Sequence, residues 1–278
     1  MSLRMFVRSI RPLAALLPIL WSAGLGAQGG TGPAQTPRES APIELTGYWA
    51  PIITEDWRWR MLTPAKGDYA SVPLNADAQR VADEWDWAAD EGSERACKPF
   101  GVGNIMRMPG RLHVTWQGDD TLRLEFDAGT QTRLLHFGAG SPAGGERTWQ
   151  GHSAASWVFA GQGAVDRNAR PVFGADPAER DRPQAGALKV VTTNMRAGHL
   201  RRNGVPYSED AVVTEYFDRV TLAPGGDVLL FVRTVVEDPT YLVEPFITST
   251  TFRREPDGSK WNPTPCRIDP PVIRSTLP

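Results

Sequence analysis

Between residues 104 and 157 the chain alternates apolar and polar positions in short blocks separated by turn residues. Residues 111–116 set Leu112, Val114 and Trp116 against Arg111, His113 and Thr115, and residues 122–126 set Leu122, Leu124 and Phe126 against Arg123 and Glu125. Period-two alternation of this kind is the mark of strands with one buried face. Gln117-Gly118-Asp119-Asp120 and Asp127-Ala128-Gly129 read as the turns between strands, and 130–137 and 149–159 as two further strands. A second block spans 188–254, with strands at 188–194, 212–220, 228–236 and 246–254 and a turn at Pro224-Gly225-Gly226-Asp227. Many short strands, few helices and frequent turns predict an all-β protein. A closed antiparallel barrel of lipocalin or calycin type is the economical solution because it removes exposed edges, and a β-sandwich is the alternative.

Other stretches break this rhythm. Residues 55–61 carry Trp57, Trp59 and Met61 in alternation with Asp56, Arg58 and Arg60, which predicts a strand with a tryptophan face. One helix is expected after Asn75, a good N-cap with Asp77 in the first turn. Ala78, Val81, Ala82, Trp85 and Ala89 follow at helical spacing, and Gly92 marks the end. Residues 161–186 mix Gly, Pro, Arg and acids without periodicity and are expected to form a long exposed loop inserted between strands. Residues 28–43, rich in Gly, Gln, Thr, Pro and Ser, read as a flexible linker, and 44–278 as one β-barrel-like domain.

Residues 1–27 have the layout of a secretory signal peptide. Arg4, Arg8 and Arg11 precede an apolar run from Leu13 to Leu25, and Gly26-Ala27 supplies small residues for cleavage near Ala27. The run falls short of the ~20 apolar residues of a spanning helix, so no membrane span is expected after cleavage. A periplasmic or secreted destination follows. There, the only two cysteines, Cys97 and Cys266, are expected to pair, with two separate buried thiols as the alternative. Their wide separation lacks the spacing of a metal motif, and no metal or other cofactor is expected. The full chain has a formal net charge of −2. The cationic leader makes the remainder more acidic still, which argues against nucleic acid as a partner.

The segment Trp149-Gln150-Gly151-His152-Ser153-Ala154-Ala155-Ser156-Trp157 has the form W-x-G-x-S-x-x-x-W. The chain also carries Asp127 to Arg133, Tyr207-Ser208-Glu209, Thr214-Glu215-Tyr216-Phe217-Asp218-Arg219 and Asp238-Pro239-Thr240-Tyr241. In combination these resemble a group of uncharacterised exported bacterial β-proteins with an S-E…T-E-x-x-x-R and D-P-x-x-Y pattern. The resemblance covers about residues 97–266 and implies a lipocalin-like architecture and export, but no activity. Gly47-Tyr48-Trp49 is similar to the G-x-W start of lipocalin-type barrels.

Motifs for serine-elbow, zinc-protease, phosphate-loop and dinucleotide chemistry are missing from the sequence. Three functional readings remain. The first is a small-molecule-binding barrel whose aromatic-lined pocket takes a hydrophobic ligand, with Trp57, Trp59, Trp116, Trp149 and Trp157 as walls and Tyr216 and Arg219 beside them. The second is a cofactor-free isomerase, cyclase or lyase. In it Glu215 and His136 or His152 transfer protons and Arg133 stabilises negative charge. If the face shared by Glu215, Phe217 and Arg219 looks inward, Glu215 is a desolvated carboxylate able to act as acid or base; the alternative is a surface ladder of Glu215 and Arg219. Arg133 and His136 differ in strand parity, an objection to their sharing a cavity. The third is an envelope interaction role centred on the 161–186 loop. The turn-rich stretch Asn203-Gly204-Val205-Pro206-Tyr207, after His199, Arg201 and Arg202, reads as a solvated basic loop, with contact to an anionic group at a barrel mouth as its alternative.

Overall fold

Alternation closes the chain into a barrel of nine strands in a computed structural model, which describes residues 35–138, 145–159, 186–222 and 224–272. In chain order the strands are β1 (Gly47–Ile52), β2 (Leu112–Gln117), β3 (Thr121–Phe126), β4 (Gln131–Phe137), β5 (His152–Phe159), β6 (Gly186–Thr193), β7 (Val212–Thr221), β8 (Val228–Glu237) and β9 (Phe246–Glu255). Each pairs with its sequence neighbours, and β1 closes the ring on β9. The sandwich alternative is thereby excluded. The leader and nearly all of the 161–186 loop lie outside the described residues.

The antiparallel expectation needs one correction, and its cause is parity. Nine directions cannot alternate around a ring, so at least one adjacent pair must run parallel. That pair is β4 and β5, joined over Leu135↔Ser153 to Phe137↔Ala155, while the other eight seams are antiparallel.

The alternation decides what lies inside. Leu122, Leu124, Leu135, Leu188, Val190, Leu230 and Val232 are each at most 1% exposed, and Trp49, Phe217 and Phe252 join them. Small barrels fill their interiors with side chains in this way. A guest between these residues would have to displace them.

The two ends differ. Strands β2, β4 and β5 finish their inward faces at one end with Trp116, Phe137 and Trp157; this is the aromatic end. The opposite end is covered by the long β1–β2 connection, the β6–β7 connection and the C-terminal tail. In the first of these, α1 (Trp57–Met61) replaces the expected strand. The two-residue Trp–Arg alternation is too short to fix a period, and burial reverses it: Trp57 is 60% exposed and Arg60 is 2% exposed. Helix α2 (Ala76–Glu84) forms as expected, with the Asn75 side chain accepting from Ala78 N at 2.9 Å and Ala78 and Ala82 facing inward. It stops early because Trp85 turns to extended backbone, packs edge-on to His199 and donates to Asp90 at 3.0 Å; the short α3 (Trp87–Asp90) follows.

Two terminal segments lie against the barrel. Residues 35–43, expected as a flexible linker, instead cross the aromatic end. Trp157 Nε1 donates to Pro37 O at 2.7 Å, Arg38 N to Asp119 O at 3.1 Å, and Ile43 packs on the core. The C-terminal tail runs outside β1 and β2, where Trp261 meets the stacked rings of Tyr48 and His113. It then pairs Thr264 and Pro265 with Ala128 and Gly129, and the Cys97–Cys266 disulfide fastens it.

Candidate functional site

Inward positions on β4 to β7 bring a polar layer into the apolar barrel. Arg133 and Glu215 are 1% and 0% exposed and form an ion pair at 2.5 Å. Arg133 also donates to Ser153 Oγ at 2.9 Å and Thr192 Oγ1 at 2.7 Å, and those hydroxyls are 2.8 Å apart. Glu215 Oε1 and Arg133 Nη1 have no hydrogen-bond partner. Glu215 thus faces inward rather than forming a surface ladder with Arg219, and it pairs directly with Arg133. The pair is sealed from solvent and ties β4 to β7 across the lumen.

The histidines do not complete a catalytic group. His136 and His152 sit on the outer faces of β4 and β5, stacked with ring centroids 5.6 Å apart. This is the parity conflict seen in the sequence: Arg133 points in, His136 out. Burial, then the neighbouring His152, lower the pKa of His136. Acid–base catalysis by Glu215 with either histidine required them to share one cavity, and the barrel wall separates them.

The five tryptophans expected to line a pocket are dispersed. Trp57 projects into solvent from α1. Trp59 lies on the same helix, donating to Asp68 Oδ1 at 3.1 Å. Trp149 lies in the connection before β5, beneath the guanidinium of Arg196 at 5.4 Å. Tyr216 is on the outer face of β7, under Arg233 at 4.9 Å. The correction has one cause: a shared residue type does not imply a shared face.

Trp116 and Trp157 do converge. Their ring centroids are 6.5 Å apart, and Phe137 fills the space beside them at 5.7 and 5.1 Å. All three are partly buried against the barrel core together with Ile43 and Val228. Arg219 shares the inward parity of Glu215 and Phe217 on β7 and lies toward this same end. Its Nε has no hydrogen-bond partner. Nearby on the outer surface Val158, Val220 and Leu222 remain exposed. The aromatic end therefore joins a ring-lined apolar surface to a cation.

At the opposite end, the loop from Asn203 to Tyr207 and the basic residues before it are buried, not solvated as expected. Arg201 and Arg202 are 1% and 6% exposed, and Asn203 donates to Ala65 O and Asp68 O. His199 is enclosed, and burial, then the charge of Lys98, takes its pKa down to about 3. The turn depends on Gly204, at φ +82°, because a Cβ there would strike the Trp85 ring. Arg60 and Arg107, 2% and 4% exposed, complete a group of buried arginines. The sequence singled out Arg201 and Arg202 only as basic residues beside a solvated loop, and gave no sign that Arg60 and Arg107 are buried, because arginine at these positions looks like ordinary surface charge. The available signal was the run of turn residues through Asn203-Gly204, which marks a tight loop, not its depth.

No family model matches this chain, and neither the curated proteins nor the solved structures searched yield a match.

Proposed function

We propose that this protein is an exported small-molecule-binding barrel that takes a small, largely apolar ligand at its aromatic end. The observation that carries the reading is the convergence of Trp116, Phe137 and Trp157, partly buried, on one inward-facing rim. Aromatic walls with few oriented polar groups are the usual make-up of such sites. In this reading the ligand lies on the rim, since side chains fill the lumen, and Arg219 orients its polar end. Export is supported by the leader and by the Cys97–Cys266 disulfide, since disulfides persist in oxidising compartments. Among the described residues no helix is long and apolar enough to cross a membrane.

The test is a titration of the leader-free protein with decanoic acid and decanol, followed by intrinsic tryptophan fluorescence. Saturable quenching or a blue shift is expected for wild type and should be lost in Trp116→Ala and Trp157→Ala. Arg219→Gln should weaken decanoic acid but not decanol. A response unchanged in both tryptophan variants refutes the rim as the binding surface.

A further inference from the structure

At the end opposite the aromatic rim, cations from three stretches of chain are buried together. Arg60 comes from α1, Arg107 from the turn before β2, and Arg201 from the β6–β7 connection. Arg60 Nε donates to Arg107 O at 3.1 Å, Arg202 Nη2 donates to Arg60 O at 2.7 Å, and Arg107 lies near enough to Arg201 to repel it. Acids answer them only in part. Glu55 lies 3.5 Å from Arg60 and Asp56 lies 3.0 Å from Arg107. Asp68 is occupied by Arg58 at 2.6 Å and by the Trp59 indole.

Among the described residues Arg201 forms no ion pair; Asp56 and Asp68 favour its charge only from beyond contact distance. None of its three guanidinium nitrogens has a hydrogen-bond acceptor among those residues, and the group lies 4.5 Å over the ring of Trp59. Arg60 Nη2 and Arg107 Nη1 are unpartnered as well. Burial, together with repulsion from Arg107, takes both Arg60 and Arg201 down to about 10. A buried guanidinium that no acid touches is unfavourable, and a fold that needed these cations only for packing would place an acid in direct contact with Arg201.

We propose that Arg60, Arg107 and Arg201 form a binding site for a compact oxyanion of the phosphate or sulfate class, backed by Trp59. Guanidinium forks match the oxygens of such anions in geometry and charge. Access runs past Glu55 and Asp56, whose side chains are 37% and 34% exposed. These two carboxylates stand where the anion docks, and the anion displaces them toward solvent. The site is separate from the aromatic rim and does not depend on it.

The experiment uses the whole leader-free protein. Melting temperature and calorimetric binding are measured with inorganic phosphate, sulfate and phenyl phosphate, against chloride at matched ionic strength. The expected result is a saturable rise in melting temperature and a measurable binding isotherm for the oxyanions, with no such rise in chloride. Tighter binding of phenyl phosphate identifies an esterified anion as the ligand, and tighter binding of inorganic phosphate a free one. Arg201→Met should weaken binding at least tenfold. The variant Glu55→Gln/Asp56→Asn, which removes the competing acids and leaves the arginines intact, should tighten it several-fold. The absence of any isotherm with wild type, an equal rise in chloride, or weaker binding by the Glu55→Gln/Asp56→Asn variant overturns the proposal.

Discussion

Glu215 and Arg133 show how a polar pair can be structural at the centre of a fold. Removing one member leaves the other charged, enclosed and uncompensated, which costs about 3–5 kcal/mol in comparable buried pairs. Glu215→Gln is therefore expected to lower the urea midpoint sharply, and Glu215→Leu combined with Arg133→Met to recover part of that loss. A double variant worse than both singles would show that the pair is not the unit that matters. His199 makes a second residue-scale prediction. Its folded pKa is lowered to about 3, below the ordinary value of 6.5, so the unfolded chain takes up the proton first as pH falls. Its contribution is thus complete above pH ~6.5 and is lost progressively below it, at about 1.4 kcal/mol per pH unit. Denaturation at a series of pH values should show that slope in wild type and a flatter one in His199→Leu. At this scale the sequence was partly legible. Strand parity set Arg133 and His136 on opposite faces and Glu215 with Phe217 and Arg219 on one face, but it left open which faces look inward. The buried arginines were opaque because their burial is imposed by segments distant in sequence.

At the level of elements, alternation over six or more residues located β2, β3 and the three long strands β7 to β9 to within about two residues. It failed at α1, where two tryptophans two apart suggested a strand and the covering of the barrel end imposed a helical turn. The C-terminal tail had no periodicity to read, yet it is an ordered strap. Thr264 pairs with Ala128, Ile268 N donates to Glu91 Oε2 at 2.8 Å, and Val272 N donates to Thr63 O at 3.0 Å. The only sequence sign of this was Cys266. Because the disulfide closes a separation of 169 residues, the chain-entropy model sets its stabilisation at no more than about 5 kcal/mol. Cys97→Ser/Cys266→Ser is expected to unfold at lower denaturant and to release the strap, read as faster tryptic cleavage after Lys260. Unchanged cleavage would mean that the hydrogen bonds alone hold the tail.

For the whole molecule, the filled interior matters most. Strand count and alternation pointed to a barrel, but neither reports how its inward side chains fill the space. The expected hollow is occupied by leucine, valine and phenylalanine around a sealed ion pair, so both proposed binding surfaces lie at the ends. One end offers rings beside a single cation; the other offers cations beside a ring. Fluorine NMR of protein labelled with 5-fluorotryptophan, titrated with decanoic acid, separates rim from lumen most directly. Binding at the rim predicts saturable shifts for Trp116 and Trp157 while Trp49, enclosed in the core, stays fixed. A shift of Trp49 alone, or of none of the three, would contradict it.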